Sequence, residues 1–247
     1  MELWLVDLEA AAPALEALER DVPRLSADDR DRAARLNNSH EARHRLAAYM
    51  ALRVALERMG GAQVRGQRFV RSPNGKPRLR AAGPAFSLSH TVGLALIGVT
   101  QAHTIGVDLE QTRTLTMSRR RLNEIVAVGA GFAARPAGDV DSEAAVLQAW
   151  CRLEACAKAS GQGVAGVLTA LGLREAGGRH LAFADIELAA RQLVSAKGFA
   201  IRDVKLPTGL HGAVAYTGSG AAPRLRRFPV ERRDIARLMP AGACQGR

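Results

Sequence analysis

Aromatic residues make up only 4% of this 247-residue chain, so Leu, Val, Ile and Ala must fill most of any core. Cysteine is almost as scarce. Cys151, Cys156 and Cys244 are odd in number and form no C-x-x-C pair, which excludes a disulfide framework and a cysteine-based zinc site. No apolar run reaches the ~18 residues that a membrane-spanning helix needs. The opening MELWLVDLEAAAPAL lacks a basic start followed by a long apolar stretch, so no signal peptide is expected. These absences together point to a reduced, cytoplasmic protein.

What is present is apolar residue and positive charge. Hydrophobic residues are 47% of the chain, enough for one large domain or two small ones. Lys plus Arg is 35 against 24 Asp plus Glu, a net +11. Such a charge attracts anionic partners at long range: nucleic acid, a phosphorylated cofactor or an acidic protein surface. It also serves solubility alone.

Periodicity places a strand at 3–8 and a helical region opened by Ser26, with an acidic residue three positions on. Asn37, Asn38 and Ser39 interrupt it. From Arg43 to Arg58, Leu46, Met50 and Val54 repeat at i, i+4, i+8 and define a buried face, with Arg43, Arg45, Arg53 and Arg58 at its border or beyond. Gly60-Gly61 stops the helix. The run SPNGKP at 72–77 is a turn, and Phe86 and Leu88 alternate with Ser87 and Ser89 as in a half-buried strand. Residues 94–99 and 105–110 read as further strands and 116–127 as a basic helix. The segment 129–141 reads as a loop, 142–160 as a helix ending at Gly161, and 180–188, 198–206 and 211–216 as strands. The expected organisation is α+β: an N-terminal half over 1–107, a C-terminal half over 108–217 and a basic tail over 218–247.

Two short segments carry chemistry. In IGVDLE at 105–110, Asp108 and Glu110 share one face of a strand and Val107 and Leu109 the other. Paired carboxylates repel unless a cation lies between them, and hard oxygen ligands suit Mg²⁺ bound to substrate phosphates. A solvated strand edge explains the hexapeptide alone as well. In AWCRLEACAK, Trp150, Glu154 and Lys158 follow one another at i, i+4, i+8. A surface ion pair would account for Glu154 and Lys158. Against it, a Trp-bearing stripe is ordinarily apolar, so both charges are expected to point inward or into a cleft. Glu154 then supplies a third carboxylate and Lys158 a cation for a phosphate oxygen.

These residues carry a family resemblance. IGVDLE at 105–110 and WCRLEACAK at 150–158 resemble the two diagnostic motifs of the 4′-phosphopantetheinyl transferases. NGKPRL at 74–79 and FSLSHTVGLALIGV at 86–99 resemble two further segments of that family, in family order, so the likeness spans roughly residues 25–216. The chain length is similar to that of the surfactin-synthetase-activating type, in which two similar α+β halves share one chain. The resemblance implies a pseudo-twofold monomer with a small, mostly antiparallel sheet in each half and an active site between them. It implies transfer of the phosphopantetheine arm of coenzyme A to a serine of an acidic acyl or peptidyl carrier protein, releasing adenosine 3′,5′-bisphosphate. By the same resemblance Asp108, Glu110 and Glu154 match the ligands of Mg²⁺, with Mn²⁺ as the alternative. Lys158 matches the pyrophosphate lysine. In an in-line attack Glu154, directly or through water, is the candidate proton acceptor, with a different base as the alternative. Asp108, Lys76, Ser89 and His90 match cofactor contacts, with Arg71 beside them. Arg43 and Arg45 flank His44, where a cofactor arginine is expected. Leu153 replaces a lysine common before the motif glutamate.

Two other readings compete. One is a basic nucleic-acid-binding protein built on Arg119-Arg120-Arg121; no aromatic stacking pattern accompanies that run. The other is a catalytically weak relative that only binds coenzyme A or a carrier.

Overall fold

Leu3, Trp4, Leu5 and Val6 are buried in strand β1 (Glu2–Asp7), which passes directly into α1 (Leu8–Asp21) in the computed structural model. The structure describes residues 1–101, 104–134, 139–173, 181–218 and 223–239. Asp7 caps α1 by accepting from the Ala10 N–H at 3.0 Å, and Leu8, Ala11, Ala12, Leu15 and Leu18 form its buried face. Ser26 and Asp29 form a capping box at the start of α2 (Ala27–Ala34). Asn38 then accepts from the His40 and Glu41 N–H groups and starts α3 (Ser39–Gly60), four residues before the expected Arg43. The helix ends at Gly61, whose φ of +79° is left-handed space that glycine enters at little cost.

A short hairpin of β2 (Phe69–Arg71) and β3 (Pro77–Leu79) follows, with the Asn74-Gly75 turn between its strands. Next come β4 (Ala85–Thr91) and β5 (Leu94–Thr100), antiparallel to each other, and β5 also pairs antiparallel with β1. Arg53 departs from the sequence reading. It does not emerge at the border of α3 but is 1% exposed, its guanidinium 2.6 Å from the Asp29 carboxylate and over the Phe69 ring. Pairing makes its burial tolerable.

The second group of elements opens with β6 (Ile105–Gln111), followed by α4 (Arg119–Ala133), α5 (Glu143–Ser160), α6 (Gly163–Ala170) and α7 (Phe183–Ala196). Strands β7 (Phe199–Asp203) and β8 (Leu210–Thr217) complete it, in the antiparallel order β6-β8-β7. Leu153, Val167, Leu168, Ile186, Ile201 and Ala213 lie in its core.

Two elements correct the sequence reading. Residues 129–133, expected in a loop, are the last turns of α4. A Cβ at Gly129 would lie 2.6 Å from the Ala149 Cα, and one at Gly131 would lie 2.4 Å from the Glu187 carbonyl oxygen. The glycines therefore mark close helix packing rather than a turn. The strand expected over 180–188 is the start of α7; residue 180 lies outside the described residues. Ile186 and Ala190 are buried at i, i+4 spacing, a helical period that the apolar run obscures.

The two groups follow one path: a strand, then helices, then an antiparallel hairpin whose second strand pairs with the first strand. In one the order is β4-β5-β1, in the other β7-β8-β6. The chain is thus α+β, with small, mostly antiparallel sheets.

The expected basic tail is also corrected. Its described part forms β9 (Leu225–Arg227), which pairs in parallel with β1, and α8 (Arg232–Ala236). Phe228, Ile235 and Met239 are buried with the first core, and Phe228 meets Trp4 edge-on at 5.9 Å. A few apolar residues among many arginines suffice to seat the segment. By its internal contacts the chain divides into one unit of Met1–Ser72, Pro77–Ala102 and Pro223–Arg247, and a second of Pro73–Lys76 and His103–Ala222. The division falls upstream of the expected residue 107, and Pro73–Lys76 groups with the second unit. Among the described residues no helix is long and apolar enough to cross a membrane.

Phe228→Ala should destabilise the protein by about 3–5 kcal/mol, measured by urea unfolding. A change within about 0.5 kcal/mol, the range of surface substitutions, would mean that this segment is a dispensable tail after all.

Candidate functional site

In the second unit, α5 packs on the face of β6 that carries Gly106, Asp108 and Glu110. Alternation puts these three side-chain positions on one side of the strand. Gly106 admits the helix: a Cβ there would lie 2.1 Å from the Ala155 carbonyl oxygen and 2.4 Å from the Ala159 nitrogen. Helix register is fixed further along. Arg152 makes a bidentate pair with Asp203 of β7, both contacts 2.7 Å, and donates to the Gly129 carbonyl at 3.1 Å. Gln148 donates to Asp203 and to the Gly212 carbonyl, each at 2.9 Å.

This packing brings the acidic strand and the helical stripe together. Asp108 is 4% exposed and accepts from the Lys158 ammonium at 2.7 Å. Burial pushes the Cys151 thiol up, and the charges of Asp108 and Glu110 add to the rise. Burial raises the Glu154 carboxyl above its ordinary value. Lys158 opposes the rise, while Asp108 and Glu110 reinforce it. Glu110 is half-buried, 3.5 Å from Arg113 and opposite His211 in the sheet. Burial holds the His211 imidazole low, Glu110 working against it.

The donor set of Asp108, Glu110 and Glu154 is all oxygen, and its self-repulsion is felt at Glu154. That chemistry fits a hard divalent cation. The three carboxylates do not bring their oxygens within 4.8 Å of one another; among the described residues only Glu9, His40 and His44 converge so closely. A shared ion therefore requires the glutamate side chains to swing toward Asp108.

Lys76 also belongs to this unit. Its ammonium donates to the Ala159 carbonyl at 2.7 Å and to the Ile105 carbonyl at 3.3 Å. It thus serves the C-terminal end of α5, where a cation is favoured. Desolvation lowers it to about 8.

The other expected contacts lie in the first unit. Arg43 is held by acids of α1, 3.1 Å from Glu16 and 3.6 Å from Glu9, while Arg45 is half-buried on α3. Ser89 is buried and His90 exposed, at neighbouring positions of β4, and Ser87 is buried too, so the serine face of this strand is not a solvent face. Arg71 is exposed at the end of β2; partial desolvation and then the charge of Arg32 draw it down.

Sequence reasoning passed over Gly106, Cys151 and His211. It also missed the H-E-x-x-H spacing of His40-Glu41-Ala42-Arg43-His44, a detectable signal. Arg119, Arg120 and Arg121 each face a carboxylate, Asp141 for the first and Glu124 for the other two, so two acids offset part of the charge of the basic run. Comparison of the chain with models of known protein families and with curated proteins gives no match.

Two outcomes follow. Gly106→Ala should lower the urea midpoint by an amount equivalent to at least about 2 kcal/mol, since backbone must shift as in an overpacked core. An unchanged midpoint would mean α5 does not lie on this strand. Lys76 is the second. Its folded value of about 8 lies below the free-lysine value of 10.5, so the unfolded chain binds more protons between those limits. Stability should rise as pH increases from about 8 to 10, and Lys76→Met should remove that rise in pH-dependent urea unfolding.

Proposed function

We propose that this protein transfers the 4′-phosphopantetheine arm of coenzyme A to a serine hydroxyl of an acyl or peptidyl carrier protein. The observation that carries the reading is the meeting of Asp108 with Lys158 at 2.7 Å, beside a Glu154 whose carboxyl is raised by burial, with the charges of Asp108 and Glu110 adding to the rise. Those are the residues that the two diagnostic motifs supply. The ordered motifs at 74–79 and 86–99 add the donor's identity by resemblance.

Asp108, Glu110 and Glu154 would hold Mg²⁺, or Mn²⁺ in its place. When bound, the ion supplies neutralisation of pyrophosphate charge. Lys158 is half-buried, its flexible stem placing a cation where that charge grows. It exchanges its Asp108 contact for a phosphate oxygen as the donor binds. Glu154 takes the carrier serine proton directly or through one water. Coordination to the ion would lower the basicity of its carboxylate, which favours the route through water or a different base. The serine oxygen forms a bond to the β-phosphorus of coenzyme A in line with the departing oxygen. The pyrophosphate P–O bond breaks, and adenosine 3′,5′-bisphosphate leaves with the electron pair. By the resemblance, Lys76, Ser89, His90 and Arg71 would supply cationic or hydroxyl donors near the nucleotide and its 3′-phosphate, with Arg43 and Arg45 as candidates for a further cofactor contact.

The net charge of +11 suits both the polyanionic donor and the acidic carrier surface. The partial offset of the arginine run at 119–121 by Asp141 and Glu124 favours this reading over nucleic-acid binding.

Incubation with coenzyme A, Mg²⁺ and a panel of apo-carrier proteins should add the arm to at least one carrier, seen by intact-protein mass. Asp108→Ala and Glu154→Ala should each reduce the rate by at least about 10²-fold, as loss of a transition-state contact does, with circular dichroism unchanged. No modified carrier, or wild-type rates from either variant, would overturn the assignment.

A further inference from the structure

The first unit carries a second constellation that the transfer reaction does not use. His40 and His44 stand one turn apart at the start of α3, their ring centroids 4.0 Å apart. Glu9, in the first turn of α1, meets both. Its Oε2 lies 3.0 Å from the His44 Nε2 and 3.5 Å from the His40 Nε2, and the three ligand atoms all lie within 4.8 Å of one another. A tetrahedral zinc ion with bonds of 2.0–2.1 Å holds its ligand atoms about 3.3 Å apart. The two measured separations bracket that edge. The string His40-Glu41-Ala42-Arg43-His44 has the spacing that puts two imidazoles on one helical face for zinc.

The surroundings agree with an open ion site. The Glu9 and His40 side chains are 59% and 63% exposed, and that of His44 is 13% exposed. Two ligands thus face solvent, from which an ion and a fourth, water, ligand enter, while the third is fixed by packing. The nearest competing cation is Arg43, whose guanidinium lies 3.6 Å from the other oxygen, Glu9 Oε1, and 3.1 Å from Glu16. Its contact with Glu9 is to Oε1, while both imidazoles meet Oε2. Mixed nitrogen and oxygen donors select the zinc class of borderline divalent ions over Mg²⁺.

We propose that Glu9, His40 and His44 form a surface site for a zinc-class divalent cation, which staples the first turn of α1 to the first two turns of α3. The proposal is independent of the transferase reading: it uses a different donor set and a different metal class.

The test is titration of the untagged, chelator-treated chain with Zn²⁺ and Co²⁺, following heat and visible absorption. The expected result is one equivalent bound with a Co²⁺ spectrum lacking a sulfur charge-transfer band, and a rise in melting temperature on adding Zn²⁺. His44→Ala and His40→Ala should each weaken binding by more than about tenfold, the least that loss of a supporting contact produces. Glu9→Gln should do the same. Because His40 is exposed, its variant folds and carries the test even if the His44 variant does not. The Asp108→Ala/Glu154→Ala double variant should retain the equivalent. Absence of binding to the wild-type chain, undiminished binding to His40→Ala, or loss of the equivalent in the double acid variant would each overturn the proposal.

Discussion

The backbone of α5 touching the backbone of β6 at Gly106 is the constraint on which the second unit depends. A helix and a strand cannot approach so closely over any residue with a side chain. Once they do, the residues two and four positions along the strand lie under the helix. Asp108 is then buried beneath Cys151 and Lys158, and a glutamate on the same stripe feels its charge. Arg152, Gln148 and Asp203 fix the helix against sliding along the sheet. The resulting cluster is a concentration of negative charge in a partly desolvated place, which is unfavourable by itself. One lysine offsets part of it. The remaining imbalance is what a substrate-bound cation could relieve.

Much of this was legible in the chain. The hexapeptide IGVDLE declared a strand with two acids on one face. Trp150, Glu154 and Lys158 declared a helix whose stripe continued into charge. The capping signals at Ser26 and Gly161 were legible because a cap is a local interaction of three or four residues. What stayed hidden was set by distant contacts. Gly129 and Gly131 look like loop residues until Ala149 and Glu187 arrive against them. The α7 segment has an apolar run that fits a strand as well as a helix, and only its packing partners decide. The helix α1 is Ala-rich and contains Pro13, and its signal was passed over. Arg53 reads as a border residue, since nothing local says that Asp29, twenty-four positions away, will neutralise it.

Charge is handled differently in the two units. In the first, buried ions are matched. Arg53 is paired with Asp29, and Arg24 lies 2.7 Å from Glu57, which also accepts from Arg65. Glu19 accepts from the backbone N–H groups of Arg24 and Leu25. Such networks specify one arrangement of helices, and removing a single partner strands a buried charge. In the second unit the carboxylates of β6 and α5 outnumber the cations beside them. The first pattern suits scaffolding, the second suits a ligand that brings its own charge.

The strand next to β1 comes from the far end of the chain. The residues that begin the first unit are synthesised early, yet its sheet gains its parallel neighbour and Trp4 its aromatic cover only after some two hundred intervening residues have left the ribosome. During that interval the second unit, contiguous apart from four residues, has its full complement of strands and helices. Synthesis therefore runs in one order and completion in the other: the unit that starts first finishes last. Ribosome-stalled chains ending before residue 223 should present a bare sheet edge, the kind of surface that chaperones screen.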